Sequence, residues 1–224
     1  MILCIADVLD ADSVARVRAG LARASFRDGR ETAGWHARLV KHNQQADSRT
    51  EAVESLRSLV DQAVAASPLF QTAARPARQR PVMFSRYESG MSYGAHVDDA
   101  VMGQGGDRLR TDLSFTLFLC DPDSYDGGEL IMDTTAGEQS YKLPAGAMVL
   151  YPSSTLHRVD PVTRGERLAA VGWVQSQVRD PRHRELLFDL ETARRRIFET
   201  QGKTPEFDLV SKSLANLLRM WVES

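Results

Sequence analysis

The stretch "LPAGAMVLYPSSTLHRVDPVTRGERLAAVGWVQS", residues 143–176, decides the fold class. It holds three short runs rich in valine, leucine and alanine, namely "AMVLYP", "LHRVDPV" and "RLAAVGWVQS", set apart by turn signals such as "PAG" and "TRGE". The same character begins at Val82 and continues through "VMFSRYES", "SYGAHVD", "DLSFTLFL", "GELIMD" and "QSYKL". About eight short strands in close succession predict a sandwich or jelly roll, not a parallel α/β sheet.

Helical patterns lie on both sides. Residues 2–9 read as a strand, and "DADSVARVRAGLARASF" (10–26) then places Val14, Val17 and Leu21 at helical spacing, with Asp12 or Ser13 as N-cap. A second helix is predicted from about Thr50 (Val53, Leu56, Val60, Ala63), followed by a proline- and arginine-rich loop, "PLFQTAARPARQRP" (68–81). After Asp180-Pro181, Leu186, Leu190, Ala193 and Ile197 predict one tail helix, and Leu214, Leu217, Leu218 and Trp221 another. The expected class is α+β, a β-rich core with N-terminal helices and a C-terminal helical extension. The expected division is 1–178 for the main domain (core about 80–177) and 179–224 for the extension.

The 224 residues are 42% hydrophobic and 26% charged, as in ordinary soluble globular chains. A net charge of −2 argues against a nucleic-acid binder, which needs a basic face. Cys4 and Cys120 are too few for a disulfide framework or a cysteine-rich metal site. "MILCIADVLDADS" (1–13) does not read as a signal peptide, and no apolar run is long enough to span a membrane. The expected compartment is a reducing cytoplasm.

Only five histidines are present, and one of them lies in "SYGAHVDDA" (92–100). Strand alternation sends His96 and Asp98 to the same face and Asp99 to the other, where it reads as a solvated or turn residue. The pair alone does not decide, because a hydrogen-bonded surface histidine has the same spacing. A second histidine on a neighbouring strand would complete the two-histidine, one-carboxylate arrangement of non-haem Fe(II) oxygenases. His157 is the one that lies in a strand-like run downstream; His183 sits among charges in the tail, and His36 and His42 belong to the polar "WHARLVKHNQ" (35–44). Arg167 opens the apolar strand after "VTRGE". It is either at an exposed strand end or buried with an anionic partner, and its planar fork suits the distal carboxylate of a dicarboxylic cosubstrate. Arg164 reads as an exposed loop arginine.

"RYESGMSYGAHVDD" (86–99), "RTDLSFTLFLCDP" (110–122), "YDGGELIM" (125–132) and residues 143–176 closely resemble the PKHD-type hydroxylases, a bacterial branch of the prolyl-4-hydroxylase-like Fe(II)/2-oxoglutarate dioxygenases. The resemblance covers about 80–177, with the motifs in order, and the helical tail is similar to that branch as well. It implies a double-stranded β-helix (jelly-roll) core, Fe(II) held by His96, Asp98 and His157, and 2-oxoglutarate paired with Arg167. It implies hydroxylation of a substrate coupled to oxidative decarboxylation of 2-oxoglutarate to succinate and CO2, with L-ascorbate as a reductant of iron. Many relatives carry a tyrosine on the strand matching "SFTLFL" to help hold the distal carboxylate; this strand has none, and Ser114, Thr116 or Tyr87 are the candidates to replace it. The substrate, small-molecule or peptidyl, is not written in these residues, nor is the link to iron uptake that the branch suggests.

Two rival readings use the same residues. A cupin-like module could hold metal without turnover, although such a module needs no dicarboxylate anchor like Arg167. A zinc hydrolase would call for "HExxH", which is absent. "AVMGQGGDRLR" (100–110), with Gly103, Gly105 and Gly106, reads either as a hairpin connection or as a lid over the site. The tail helices read as an interface for self-association.

Overall fold

Alternation along three central strands separates a helix-covered core from a polar interior. The computed structural model describes residues 1–223. One antiparallel sheet runs β1 (Leu3–Ile5), β14 (Met148–Pro152), β10 (Leu113–Phe118), β17 (Arg167–Ser176), β6 (Met83–Tyr87), β4 (Gln44–Ala46), β2 (Phe26–Asp28), and β5 (Pro76–Gln79) joins β17 off this path. The second runs β13 (Gly137–Tyr141), β12 (Leu130–Thr134), β15 (His157–Val159), β7 (Ser92–His96), β3 (Lys41–His42). Two short ribbons complete the set: β8 (Val101–Met102) with β9 (Leu109–Arg110), and β11 (Asp126–Gly127) with β16 (Val162–Arg164). This is the expected jelly roll.

β10 is buried along its whole length because both of its faces are covered. Leu113, Phe115 and Leu117 join Leu150, Ala170 and Val174 in the larger core, against Val14, Val17 and Leu21 of α1 (Ala11–Leu21) and Val53, Val60 and Val64 of α2 (Glu51–Ala66). The alternate residues, Ser114, Thr116 and Phe118, turn inward with Val149, Tyr151 and Arg167. Phe115 stands directly opposite Gly172 across the β10–β17 ladder, and a Cβ there would lie 2.3 Å from its ring. Only glycine fits at that position.

The helices start where polar caps dictate, with local corrections to the expected boundaries. Asp10, not Asp12 or Ser13, caps α1: its Oδ1 accepts from the Ser13 amide at 2.8 Å, while Asp12 and Ser13 lie inside the first turn. The segment 68–81 is not all loop, for Ser67 caps α3 (Pro68–Ala74), whose Pro68 occupies a first-turn position that needs no amide hydrogen. Phe70, Ala73 and Ala74 of that helix are fully buried, Arg75 ends it at φ 44°, and β5 follows.

The tail forms α4 (Pro181–Gln201) and α5 (Pro205–Trp221), capped by Asp180 and Thr204. The buried face of α4 is not the expected Leu186–Leu190–Ala193–Ile197 stripe: Leu186 is 51% exposed, and Arg184, Leu187 and Glu191 face inward. The two charges are tolerated because Arg184 donates to the Val178 and Arg179 carbonyls and Glu191 accepts from Arg194 and Arg195. Leu187 and Leu214 enclose Val178, with Leu217, Leu218 and Trp221 packed alongside, and His183 stacks on Trp221 instead of standing free in solvent. Among the described residues, no helix is long and apolar enough to cross a membrane.

Replacing Gly172 with alanine forces the new methyl into the Phe115 ring. Overpacking of this kind costs about 1–3 kcal/mol, so a lower midpoint in urea unfolding is expected for Gly172→Ala, with the denaturant slope unchanged.

Candidate metal and cosubstrate site

β7 ends at His96, and Asp98 lies just beyond the strand, still on the inward side. β15 opens with His157, which pairs directly with His96 across the β7–β15 ladder. Ligand atoms of His96, Asp98 and His157 all lie within 4.8 Å of one another. The two imidazoles are 93–94% buried, with relative exposures of 7% and 6%.

Each imidazole is oriented by its own strand. His96 Nδ1 is 2.8 Å from the Gly94 carbonyl, and His157 Nδ1 is 3.0 Å from the Thr155 carbonyl. Those contacts put the proton on Nδ1 and leave Nε2 as the unprotonated nitrogen, the arrangement of metal-binding histidines. Burial, and then the neighbouring His157, push the His96 pKa down to about 4, so its ring is neutral at neutral pH. Tyr93 stacks on His96 at 3.6 Å between ring centroids, and the Tyr151 hydroxyl lies 3.4 Å from His157 Nε2. Burial raises the Tyr151 pKa well above its ordinary value, and the phenol keeps its proton.

Ser114 has a different place from the one expected. Its hydroxyl donates to Asp98 Oδ2 at 2.6 Å and is 2.7 Å from the Ser153 hydroxyl. It therefore fixes the carboxylate. Thr116 lines the same cavity as Tyr151. Of the three candidates, Tyr87 alone lies beside Arg167: the two are paired in register, and the guanidinium carbon sits 5.1 Å from the Tyr87 ring centroid.

Arg167 is 1% exposed, and its Nε and Nη2 are buried without a partner. A Phe118 ring flanks it at 5.5 Å, and no carboxylate pairs with it among the described residues. Breaking a buried ion pair by removing one partner costs about 3–5 kcal/mol, so this guanidinium calls for an anion. Gly128, at φ 69°, makes room for it, since a Cβ there would approach Arg167 Cδ at 3.0 Å. Tyr125, from the same turn, is buried with its hydroxyl unpartnered and feels the Arg167 charge.

The histidine pair, Asp98 and Arg167 line one cavity of about 440 Å³. Its wall also holds residues that the sequence did not single out, among them Lys41, Asn43 and Tyr151. Burial drives the Lys41 ammonium down to about 8, with the charge of Asp98 opposing the shift. His42 faces outward on β3, His36 packs edge-on against Trp35, and Arg164 is ion-paired with Asp126 at the surface, all outside the cavity wall. Asp99 is exposed at the cavity rim.

The fold and the site define an oxygenase class, and comparison with known proteins agrees. Residues 82–175 match the 2OG-Fe(II) oxygenase superfamily. A PKHD-type hydroxylase of Synechococcus elongatus is 56% identical over 223 residues, covering 100% of both chains. One of Acaryochloris marina is 55% identical over the same span, again covering 100% of both. Among solved structures, a Pseudomonas putida prolyl-4-hydroxylase is similar at TM-score 0.54 and 26% identity, covering 78% of this chain and 92% of that one. The chain belongs to the PKHD-type hydroxylases and is a 2-oxoglutarate-dependent iron dioxygenase.

Residues 100–110 form a hairpin, β8–β9, around a 3-10 turn at Gly105–Asp107. Its strand β8 lines the cavity, Arg78 holds the Gly106 and Arg108 carbonyls, and Arg110 is tied to Asp112 and Glu223. Trypsin is therefore expected to cut after Arg108 before Arg110. If the hairpin acts as a lid over bound substrate, metal, 2-oxoglutarate and a substrate-sized inhibitor under anaerobic conditions slow that cut; equal rates in every state leave it a plain connection.

Proposed function

We propose that His96, Asp98 and His157 hold the iron(II) and that Arg167, lying over Tyr87, receives the distal carboxylate of 2-oxoglutarate. The buried, unpartnered Arg167 guanidinium carries this reading, because it faces the same cavity as the three ligands. The donor set fits the metal: two neutral imidazoles and one carboxylate on one side leave positions open for other ligands. Bound there, iron(II) with 2-oxoglutarate and O2 supplies the oxidative decarboxylation to succinate and CO2 and the oxygen transferred to a C–H bond.

The chain's own residues do the positioning. Ser114 keeps Asp98 from rotating, and the Gly94 and Thr155 carbonyls set the two imidazoles. Arg167 fixes one end of the cosubstrate with a planar fork that an ammonium cannot imitate. Phe118, Leu130 and Val159 wall the inner end of the sandwich and exclude water. A cupin-like metal holder would have no use for the buried cation.

Five finer readings belong to the same proposal. Ascorbate as reductant, a cytoplasmic location and a link to iron uptake come from family resemblance and composition. A division at 178/179 rests on the change from strands to helices there, although Leu187 and Leu214 pack on Val178 across that boundary. Self-association through α4 and α5 is supported by exposed Phe198, Leu209 and Met220, and sedimentation equilibrium reads it.

His157→Ala is expected to abolish stoichiometric iron binding, and wild-type iron content in that variant overturns the ligand set. Arg167→Ala is expected to weaken 2-oxoglutarate binding about ten- to hundredfold while iron binding stays intact, since charge-assisted pairs contribute about 1.5–3 kcal/mol. Arg167→Lys recovers part of the loss. An unchanged dissociation constant in both variants, measured by anaerobic calorimetry, removes Arg167 from the role.

A further inference from the structure

The chain crosses from the second sheet to the first through β3 and β4, closing one side of the sandwich between β7 and β6. Extended backbone puts alternate residues on one face, and here that face is Lys41, Asn43 and Gln45. All three are buried, at 6%, 3% and 6% exposure, and all three line the cavity. A buried face with three polar side chains and no apolar one is not core packing.

Its hydrogen bonding is incomplete. Lys41 Nζ donates to the Thr32 hydroxyl at 3.2 Å and lies 5.0 Å from the Tyr93 ring centroid, and among the described residues no carboxylate pairs with it. The buried Asn43 amide lies near the Tyr87 hydroxyl, but neither of its polar atoms makes a well-formed hydrogen bond. Gln45 is already engaged, its carbonyl oxygen accepting from Thr32. Buried polar groups left unmade are expensive, and a buried cation more so.

The other charges of the cavity have uses. Asp98 serves the metal, and Arg167 serves the distal carboxylate of 2-oxoglutarate. Arg80 is half-buried beside Gly103 of the hairpin, and Asp99 is exposed at the rim, so solvent screens both. Lys41 is left as the buried positive charge without an ion-pair partner, since Asp98 and Asp28 act on it only at a distance.

We propose that Lys41 and Asn43 anchor a carboxylate of the molecule that is hydroxylated, so that the substrate is an organic acid. A single cation beside one neutral amide matches a monoanion: the ammonium pairs with one carboxylate oxygen and the Asn43 amide donates to the other. Tyr93, which lies between Lys41 and His96, sets the anchored group beside the metal ligands. The inference rests on the assignment of Arg167 to 2-oxoglutarate.

The test is calorimetry on the full chain, loaded anaerobically with iron(II) and saturated with 2-oxoglutarate. The probes are three acid–amide pairs: propionate and propionamide, benzoate and benzamide, phenylacetate and phenylacetamide. At least one acid is expected to bind about ten- to hundredfold more tightly than its amide, the range for a charge-assisted hydrogen bond. In Lys41→Met, and in Lys41→Gln should the first variant fail to fold, that preference is expected to vanish, and Lys41→Arg is expected to keep part of it. The affinity for 2-oxoglutarate is expected to change by less than about tenfold in these variants, because Arg167 holds it. No acid preference in any pair, a preference that survives the loss of Lys41, or a larger fall in 2-oxoglutarate affinity each overturns the proposal. Failure of the Arg167 assignment is separately visible, as an unchanged 2-oxoglutarate dissociation constant in Arg167→Ala.

Discussion

The cross-strand contact between His96 and His157 is the constraint on which the site depends. Their rings meet at 4.3 Å because the β7–β15 ladder aligns the two residues. A one-residue slip of either strand would turn its histidine to the opposite face. The register is held from outside the pair: β15 is also pinned by β12, where Met132 faces His157, and β7 by β3. Asp98 needs no strand of its own, since it follows His96 by two residues and Ser114 of the other sheet catches it. The triad thus belongs to one sheet, whose ladder sets the distance between the imidazoles, and only the Ser114 hydroxyl reaches it from the other sheet.

Arg167 shows the complementary device. It is the first residue of a strand whose remaining inward positions run down the middle of the sandwich. Its guanidinium is boxed by Tyr87 and Phe118 rings and by a turn at Gly128 that has no side chain to obstruct it. Aromatic faces accept a cation without neutralising it. The arginine is therefore held in place while its hydrogen-bonding capacity is kept for a ligand.

Much of this was legible in the sequence, and what was not has identifiable physical reasons. The strand at residues 167–176 was readable because its apolar run is bounded by a clear turn, and the His-x-Asp spacing because strand alternation fixes it. Lys41 and Asn43 were hidden: β3 has two residues and β4 three, too short for any period to emerge. Polar residues at buried positions also defeat patterning, which is why Arg184 and Glu191 displaced the expected apolar stripe of α4. The role of Ser114 could not be read either. Nothing in "DLSFTLFL" says which carboxylate of a distant strand will lie across from it.

The pairing of β1 with β14 has a consequence for how the chain is made. Leu3 meets Leu150, so β1 leaves a ribosome long before its neighbour and finds it only after the intervening core strands have been synthesised. The apolar faces of α1 and α2 wait likewise, because Leu113, Phe115 and Leu150, which cover them, come later in the chain. Non-local pairing of this kind is slow and leaves apolar surface open to wrong partners in the meantime. α1 and α2 emerge before the strands that cover them, and their burial is completed only once those strands have arrived.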